Sequence, residues 1–122
     1  MALHESAEMY LETIYVLAKQ KSTVRSVDVA EALNYSKPSV SRAVGLLKNG
    51  GYLTVEKDGF LRLTELGTEI GQKIYERHTL LENFLINMGV SPAVAEEDAC
   101  KMEHAISDET FYAIQKFVQN MK

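Results

Sequence analysis

The chain has 122 residues, of which 46% are hydrophobic and 25% are charged, and its formal net charge is −4. This balance is typical of a small globular protein with one compact unit or two small lobes. The single cysteine, Cys100, excludes an intrachain disulfide. The first residues do not resemble a signal peptide, and no apolar stretch is long enough to span a bilayer, so we expect a cytoplasmic protein with no membrane partner.

The positive charge is concentrated in one part of the sequence. Between Lys19 and Arg62 there are eight basic and four acidic residues, so this segment carries +4 and the remainder carries −8. An asymmetry of this kind indicates a DNA-facing lobe joined to an acidic lobe. Solvated surface charge would give the same pattern.

The sequence predicts three helices in its first part. Apolar residues at helical spacing indicate a helix over residues 5–19 and a short helix over residues 26–33, with Ser26 as its N-cap. After a tight turn, a third helix opens at Ser36 with a proline in its first turn, and the two glycines at 50–51 end it.

A β-hairpin and three further helices follow. Residues 52–56 and 60–63 alternate between apolar and polar side chains on either side of a turn, which predicts two short antiparallel strands. The fold class is therefore mainly α with a small β-hairpin. The remaining predicted helices cover residues 64–88, 91–105 and 109–121, and Gly67 and Gly71 are expected to weaken the first of them.

A short helix, a tight turn, a second helix and a hairpin form the pattern of a winged helix-turn-helix, whose second helix enters the major groove of DNA. We therefore predict a DNA-binding domain over residues 1–63 and a helical domain over residues 64–122. Hydroxyls, cations and backbone N–H groups at a helix start suit phosphate oxygens and guanine edges. The candidate DNA-binding residues are Arg25, Ser36, Lys37, Pro38, Ser39, Ser41, Arg42 and Lys57.

A second interpretation of this segment is structural. The hydroxyls of Ser36 and Ser39 could simply cap the helix, and the lysines could be solvated. Winged helices also serve as protein-interaction scaffolds. The absence of acidic residues from the predicted recognition helix favours DNA as the partner.

Possible metal ligands occur on three of the predicted helices. Cys100, Glu103 and His104 are spaced i, i+3 and i+4, so a thiolate, a carboxylate and an imidazole share one helix face. Each of these residues also has a common structural role, as a small buried hydrophobe or a member of a surface ion pair. Two further pairs at helical spacing are His78 with Glu82, and Met9 with Glu12.

Four segments resemble the diphtheria toxin repressor and manganese transport regulator (DtxR/MntR) family, and together they cover essentially the whole chain. The resemblance implies a winged-helix DNA-binding domain, a helical metal-binding and dimerisation domain, and a homodimer that binds a double-stranded DNA operator when divalent metal is bound. Because the sequence ends after the last predicted helix, we expect a short form that lacks the SH3-like third domain. The segments are residues 8–15 (EMYLETIY), 37–41 (KPSVS), 77–82 (RHTLLE) and 99–104 (ACKMEH), the last followed by Ser107-Asp108.

The resemblance also assigns metal ligands. One family site falls on Met9, Cys100, Glu103 and His104, and the other would use His78 and Glu82.

The choice of metal follows from which branch of the family the ligands match. Met9 and Cys100 match the iron-sensing branch, and soft sulfur ligands favour Fe(II), Co(II) or Ni(II) over Mn(II). Glu12 matches an acidic ligand of the manganese branch, and Glu96 stands where the iron sensors have a histidine. We therefore predict Fe(II) as the cofactor, with Mn(II) as the alternative and Co(II), Ni(II) or Zn(II) as substitutes.

The predicted function is a metal-dependent repressor of metal-uptake genes. A metal held by residues from both domains would fix the spacing of the two recognition helices in the dimer. Two alternatives stay open, namely a metal-independent winged-helix regulator with Cys100 as a thiol sensor, and a winged-helix scaffold that binds proteins. No general base accompanied by a nucleophile-positioning loop is evident, so the chain is not predicted to be an enzyme.

Overall fold

The computed structural model of the chain describes residues 5–120, with Glu5 described by its backbone only. This part of the chain is mainly helical and contains one two-stranded antiparallel sheet, as predicted. The predicted end of the last helix at Met121 lies outside the described residues. The elements are α1 (Glu5–Gln20), α2 (Ser26–Leu33), α3 (Lys37–Asn49), β1 (Leu53–Val55), β2 (Leu61–Leu63), α4 (Glu65–Asn87), α5 (Pro92–Ala105) and α6 (Asp108–Asn120).

The chain forms two compact units, residues 1–73 and 74–122, and the division between them lies inside α4. The winged-helix pattern suggests a boundary between residues 63 and 64, at the start of that helix. The first turns of α4 pack on the first unit, since Ile70 contacts its core. None of the helices within residues 5–120 combines the length and the apolar character that a membrane span requires.

The core of the first unit is apolar and is built from all of its elements. Helices α1, α2 and α3 contact one another, and the hairpin contacts α1 and α3. Leu11 and Ile14 of α1 are almost completely buried against this core. The other buried members are Tyr10, Val24, Val29, Ala30, Val40, Val44, Leu47, Leu53 and Leu61.

The two short helices of the helix-turn-helix are capped differently from each other. The N-cap of α2 is Arg25 rather than the predicted Ser26, because Asp28 at N3 accepts a hydrogen bond from the Arg25 backbone N–H at 2.8 Å. The carboxylate of Asp28 thus does the capping that a serine hydroxyl would do. The cap of α3 is Ser36, as predicted, and between them Asn34 ends α2 in the left-handed region with φ 57°.

The hairpin is shorter than the sequence predicts, because only three residues of each strand are paired. Leu53 pairs with Leu63 and Val55 with Leu61. Gly59 has φ +84° in the turn, a conformation that favours glycine. The Leu61 backbone N–H also donates to the Val24 carbonyl at 2.7 Å, which attaches the hairpin to the start of the helix-turn-helix.

Gly67 and Gly71, which we expected to weaken α4, are sites of close packing. A Cβ built on Gly67 would lie 2.0 Å from the backbone oxygen of Tyr52, and one on Gly71 would lie 2.9 Å from the backbone oxygen of Leu11. The backbone of α4 therefore approaches the neighbouring backbones more closely than a side chain would allow. The sequence predicts only the cost of these glycines in helix propensity, because their packing role depends on residues distant in sequence.

The second unit consists of the rest of α4 together with α5 and α6. Gly89, with φ +107°, lies in the connection between α4 and α5, and Ser91 precedes α5 as its N-cap. The hydroxyl of Ser107 accepts a hydrogen bond from the Thr110 N–H at 3.2 Å at the start of α6. The buried apolar residues of this unit are Ile74, Leu81, Ala95, Ala99 and Phe111.

Candidate metal centre and DNA-binding surface

Three of the sequence-predicted metal ligands lie together on α5. Cys100, Glu103 and His104 are at positions i, i+3 and i+4 of one continuous helix, so their side chains emerge from the same face. The thiol sulfur, a carboxylate oxygen and an imidazole nitrogen lie within 4.8 Å of one another. The structure thus brings three chemically different donor atoms to one point in the second unit.

Glu103 is the most deeply buried member of this group. Its side chain has no solvent exposure, and its Oε1 lies 3.2 Å from Nε2 of His104. Its Oε2 lies 3.0 Å from Nδ1 of His78 on α4. The other ring nitrogen of His78, Nε2, is 3.5 Å from Oε1 of Glu82. Two imidazoles and two carboxylates of α4 and α5 are therefore arranged in a continuous chain of polar contacts.

The donor set fits a divalent transition-metal ion. A buried carboxylate is costly unless positive charge and hydrogen bonds compensate it, and a neutral imidazole supplies one N–H and no charge. The Glu103 carboxylate is 0% exposed and the His104 side chain is 1% exposed, so water compensates them little. Thiolate, carboxylate and imidazole donors together match the preferences of Fe(II), Co(II), Ni(II) and Zn(II).

Arg77 is a buried residue beside this cluster that the sequence analysis did not single out. Its guanidinium donates to Oδ1 of Asp108 at 3.0 Å and to the Ile106 carbonyl at 3.1 Å, and it lies over the ring of Phe111. These contacts attach the α5–α6 connection to α4 next to His78. An arginine followed by a histidine on a helix is usually exposed, so the sequence carries no signal for this role.

The remaining predicted ligands have different surroundings. Glu96 is exposed on α5 and belongs to no group of three donor atoms this close together within residues 5–120. Met9 and Glu12 lie on α1 in the first unit and are half-buried. The sulfur of Met9 accepts a hydrogen bond from the hydroxyl of Tyr35 at 3.4 Å. The metal-binding role of these three residues stays a prediction.

The start of α3 carries most of the predicted DNA-binding residues. The Ser36 hydroxyl accepts a hydrogen bond from the Ser39 N–H at 3.3 Å and donates to the Ser39 hydroxyl at 2.8 Å, and Arg42 donates to the same hydroxyl at 3.4 Å. Ser36 therefore caps the helix, as the structural interpretation has it, whereas Ser39 supplies the backbone N–H that is capped. The exposed residues here are Ser36, Lys37, Pro38, Ser41 and Arg42.

Arg25 and Lys57 lie outside α3 and are both exposed. The guanidinium of Arg25 lies 4.7 Å from the ring centre of Phe60, which ties it to the hairpin. Lys57 is in the hairpin turn.

The carboxyl of Asp28, in the first turn of α2, has a lowered pKa. The Lys21 ammonium and the Arg25 backbone N–H hold this pKa below its usual value of 3.8, because both donate hydrogen bonds to the carboxyl.

Two tyrosines connect the start of α3 to α1. Tyr35 is 43% exposed, and its ring packs edge-on against that of Tyr10 at a centroid distance of 6.0 Å. Burial and the neighbouring Tyr35 raise the pKa of Tyr10 above its ordinary value. Tyr35 is thus an exposed aromatic residue beside the predicted DNA-binding residues. The sequence analysis did not single it out, and its place in the predicted tight turn was the one feature that pointed to an exposed position.

A winged helix-turn-helix followed by a helical unit in which a half-buried thiol, a buried carboxylate and an imidazole lie together defines the class of metal-dependent DNA-binding regulators. The comparisons with known families agree with that class. The family model described as "Iron dependent repressor, N-terminal DNA binding domain" matches residues 2–61. The model described as "Iron dependent repressor, metal binding and dimerisation domain" matches residues 64–122.

Curated relatives and solved structures point to the same family. The transcriptional regulator MntR of Escherichia coli O6:H1 is 36% identical over 115 residues, which are 94% of this chain and 74% of the relative. The HTH-type transcriptional regulator MntR of Geobacillus kaustophilus is 40% identical over 114 residues, covering 93% of this chain and 81% of the relative. A manganese-dependent transcriptional repressor solved with manganese is 27% identical with a TM-score of 0.85.

The chain therefore belongs to the DtxR/MntR family of metal-dependent transcriptional repressors. Family members bind DNA through the N-terminal domain and dimerise through the C-terminal domain. The relatives are transcriptional regulators, which agrees with the prediction that the chain is not an enzyme. The chain spans about half of the solved manganese-dependent repressor, since it covers 93% of its own length and 52% of that protein.

Proposed function

We propose that the chain is a homodimeric repressor of metal-uptake genes that binds operator DNA in the cytoplasm when Fe(II) is bound to its second unit. The observation that carries the proposal is the cluster of Cys100, Glu103 and His104, in which the Glu103 carboxylate is buried and the Cys100 thiol is half-buried. Sulfur ligation by Cys100 favours Fe(II). Mn(II) is the alternative ion, supported by the similarity to a manganese-dependent repressor.

The residues of the second unit would hold the ion as follows. The Cys100 thiolate, the Glu103 carboxylate and the His104 imidazole are the proposed ligands of one site, and His78 with Glu82 those of another. A bound cation supplies the positive charge that offsets the buried carboxylate of Glu103. Met9, Glu12 and Glu96 are further proposed ligands, and they rest on the resemblance to the family.

Control of DNA binding follows from linkage between metal and dimer. A ligand that binds only the folded state stabilises it, so an ion in the second unit stabilises the unit through which family members dimerise. A dimer presents two copies of α3 to half-sites about 34 Å apart or a multiple of that spacing. Metal and DNA then tighten each other's binding by the same factor.

The test compares metals under identical conditions. The full chain is incubated anaerobically with a random duplex library of about 30 base pairs, in the presence of Fe(II), Mn(II), Zn(II) or a chelator, and the affinity for the selected duplex is measured. Because each contacted phosphate and base edge adds to the affinity of a properly spaced dimer, we expect Fe(II) or Mn(II) to raise the affinity about a hundredfold over chelator.

Variants separate the two activities of the chain. Cys100→Ala and His104→Ala should remain folded dimers and lose the effect of metal, whereas Arg42→Ala should bind metal normally and bind DNA weakly. Equal DNA binding with metal and chelator contradicts metal control. If peroxide rather than metal then alters binding, Cys100 is a thiol sensor, and DNA binding that is absent or insensitive to salt favours the scaffold.

A further inference from the structure

Gly45, in the third turn of α3, has no structural reason to be a glycine. A Cβ built at this position meets no other atom within 4 Å, whereas those built on the α4 residues Gly67 and Gly71 clash with neighbouring backbone. Glycine in a helix interior is less favourable than alanine because it loses more conformational freedom on folding. The fold would therefore accept a side chain at residue 45 and gain stability from it.

The face of α3 on which Gly45 lies indicates what could approach the helix backbone at this position. The side of α3 that packs on the core carries Val40, Val44 and Leu47, all of which are buried. Gly45 is four residues after Ser41 and three after Arg42, both exposed, and residues at these spacings share one face. Gly45 is itself half-buried, and it lies on the face that begins with the proposed DNA contacts, about one turn further along the helix axis.

We propose that Gly45 is a positioning residue for DNA binding, whose bare backbone lets the third turn of α3 approach the sugar-phosphate backbone or the base edges of the major groove. This inference rests on the proposed function, because it requires α3 to enter that groove. The groove is about 12 Å wide and a helix with side chains is about 10–12 Å across, so side chains on the facing side decide how deeply a helix enters. Close approach of a backbone to a ligand is a recognised use of glycine.

The proposal predicts that stability and DNA affinity change in opposite directions. Gly45→Ala should raise the melting temperature of the metal-free full chain by about 4 °C at fixed protein concentration. The same substitution should weaken binding to a duplex selected by the metal-loaded wild-type chain by about tenfold, the size of one lost contact. Gly45→Gln, also a good helix former, should weaken it by about a hundredfold because its side chain is longer.

Metal binding and a second variant complete the experiment. Both Gly45 variants should bind metal like the wild type, since the proposed ligands lie on other helices. If Gly45→Ala binds the duplex as tightly as the wild type while Arg42→Ala binds it weakly, the inference is wrong and the DNA-binding function stands. A lower melting temperature for Gly45→Ala would also overturn it. If the metal-loaded wild type selects no duplex, the proposed function and this inference fail together.

Discussion

The first unit buries apolar side chains, whereas the second buries a carboxylate and a guanidinium beside a smaller apolar set. Within residues 6–73 the buried residues are hydrophobic or glycine, among them Leu11, Val29 and Leu53. Within residues 74–120, Glu103 and Arg77 are buried to 1% and 6% exposure. Apolar burial stabilises a fold without any ligand, while a buried carboxylate depends on compensating charge. The first unit should therefore be stable without metal, and the stability of the second should depend on it.

The largest effect is expected where the first unit is most tightly packed. Gly67→Ala places a methyl group 2.0 Å from the backbone oxygen of Tyr52, and neither helix α4 nor that backbone can move without disrupting the core. We expect the free energy of unfolding to fall by more than about 3 kcal/mol, measured by urea denaturation of the metal-free chain. Gly45→Ala, where a methyl group meets open space, is the matched control and should stabilise the chain. Similar stability for the two variants would contradict the close packing of α4 against the backbone of Tyr52.

The second unit should respond to metal, and Glu103 should account for much of that response. At a hundredfold excess of free Fe(II) over its dissociation constant, the wild type should gain about 2.7 kcal/mol of stability. Glu103→Gln keeps the size of the side chain but removes the charge, so we expect it to gain less than about 1 kcal/mol at the same Fe(II) concentration.

Anaerobic thermal unfolding with and without Fe(II) measures both values. The substitution should not destabilise the metal-free chain, because an uncharged amide is less costly to bury than a carboxylate. Equal stabilisation of wild type and variant by Fe(II) would exclude Glu103 as a ligand.

A smaller, pH-dependent effect is expected at the start of the helix-turn-helix. The pKa of Asp28 is lowered in the folded chain, so its charge stabilises the fold above the ordinary value of 3.8 and this contribution is lost as the pH falls through the lower folded value. Asp28→Asn should therefore cost about 1 kcal/mol near pH 7, because it removes the charge from the α2 cap and from the pair with Lys21. The difference should shrink on acidification below about pH 4. A difference that does not depend on pH would rule out this explanation.

The helices and the hairpin could be predicted from the sequence because their signals are local. Apolar spacing, Pro38 in a first turn and Ser36 before it define α3, and the structure agrees with both. The N-cap of α2 was predicted at Ser26, whereas the structure places it at Arg25. The difference arises because the carboxylate of Asp28, three residues after Arg25, accepts the hydrogen bond from the Arg25 backbone N–H. The close packing at Gly67 was not predicted, because the backbone that it contacts, at Tyr52, is distant in sequence.

The candidate site could be predicted only in part. The shared face of Cys100, Glu103 and His104 follows from helical spacing within α5, and the structure brings their donor atoms together. The 3.0 Å approach of Glu103 to His78 joins two helices, so no local pattern contains it. Arg77 was missed for the same reason, since its partners lie on the connection to α6.

Sulfur ligation by Cys100 is tested by X-ray absorption spectroscopy of the full chain loaded anaerobically with Fe(II). We expect sulfur among the atoms bound to iron in the wild type, and only oxygen or nitrogen in a Cys100→Ser, Met9→Leu double variant. The Met9→Leu single variant should retain a sulfur ligand from Cys100. An iron spectrum of the wild type without any sulfur ligand would contradict the role assigned to Cys100, and with it the cluster on α5.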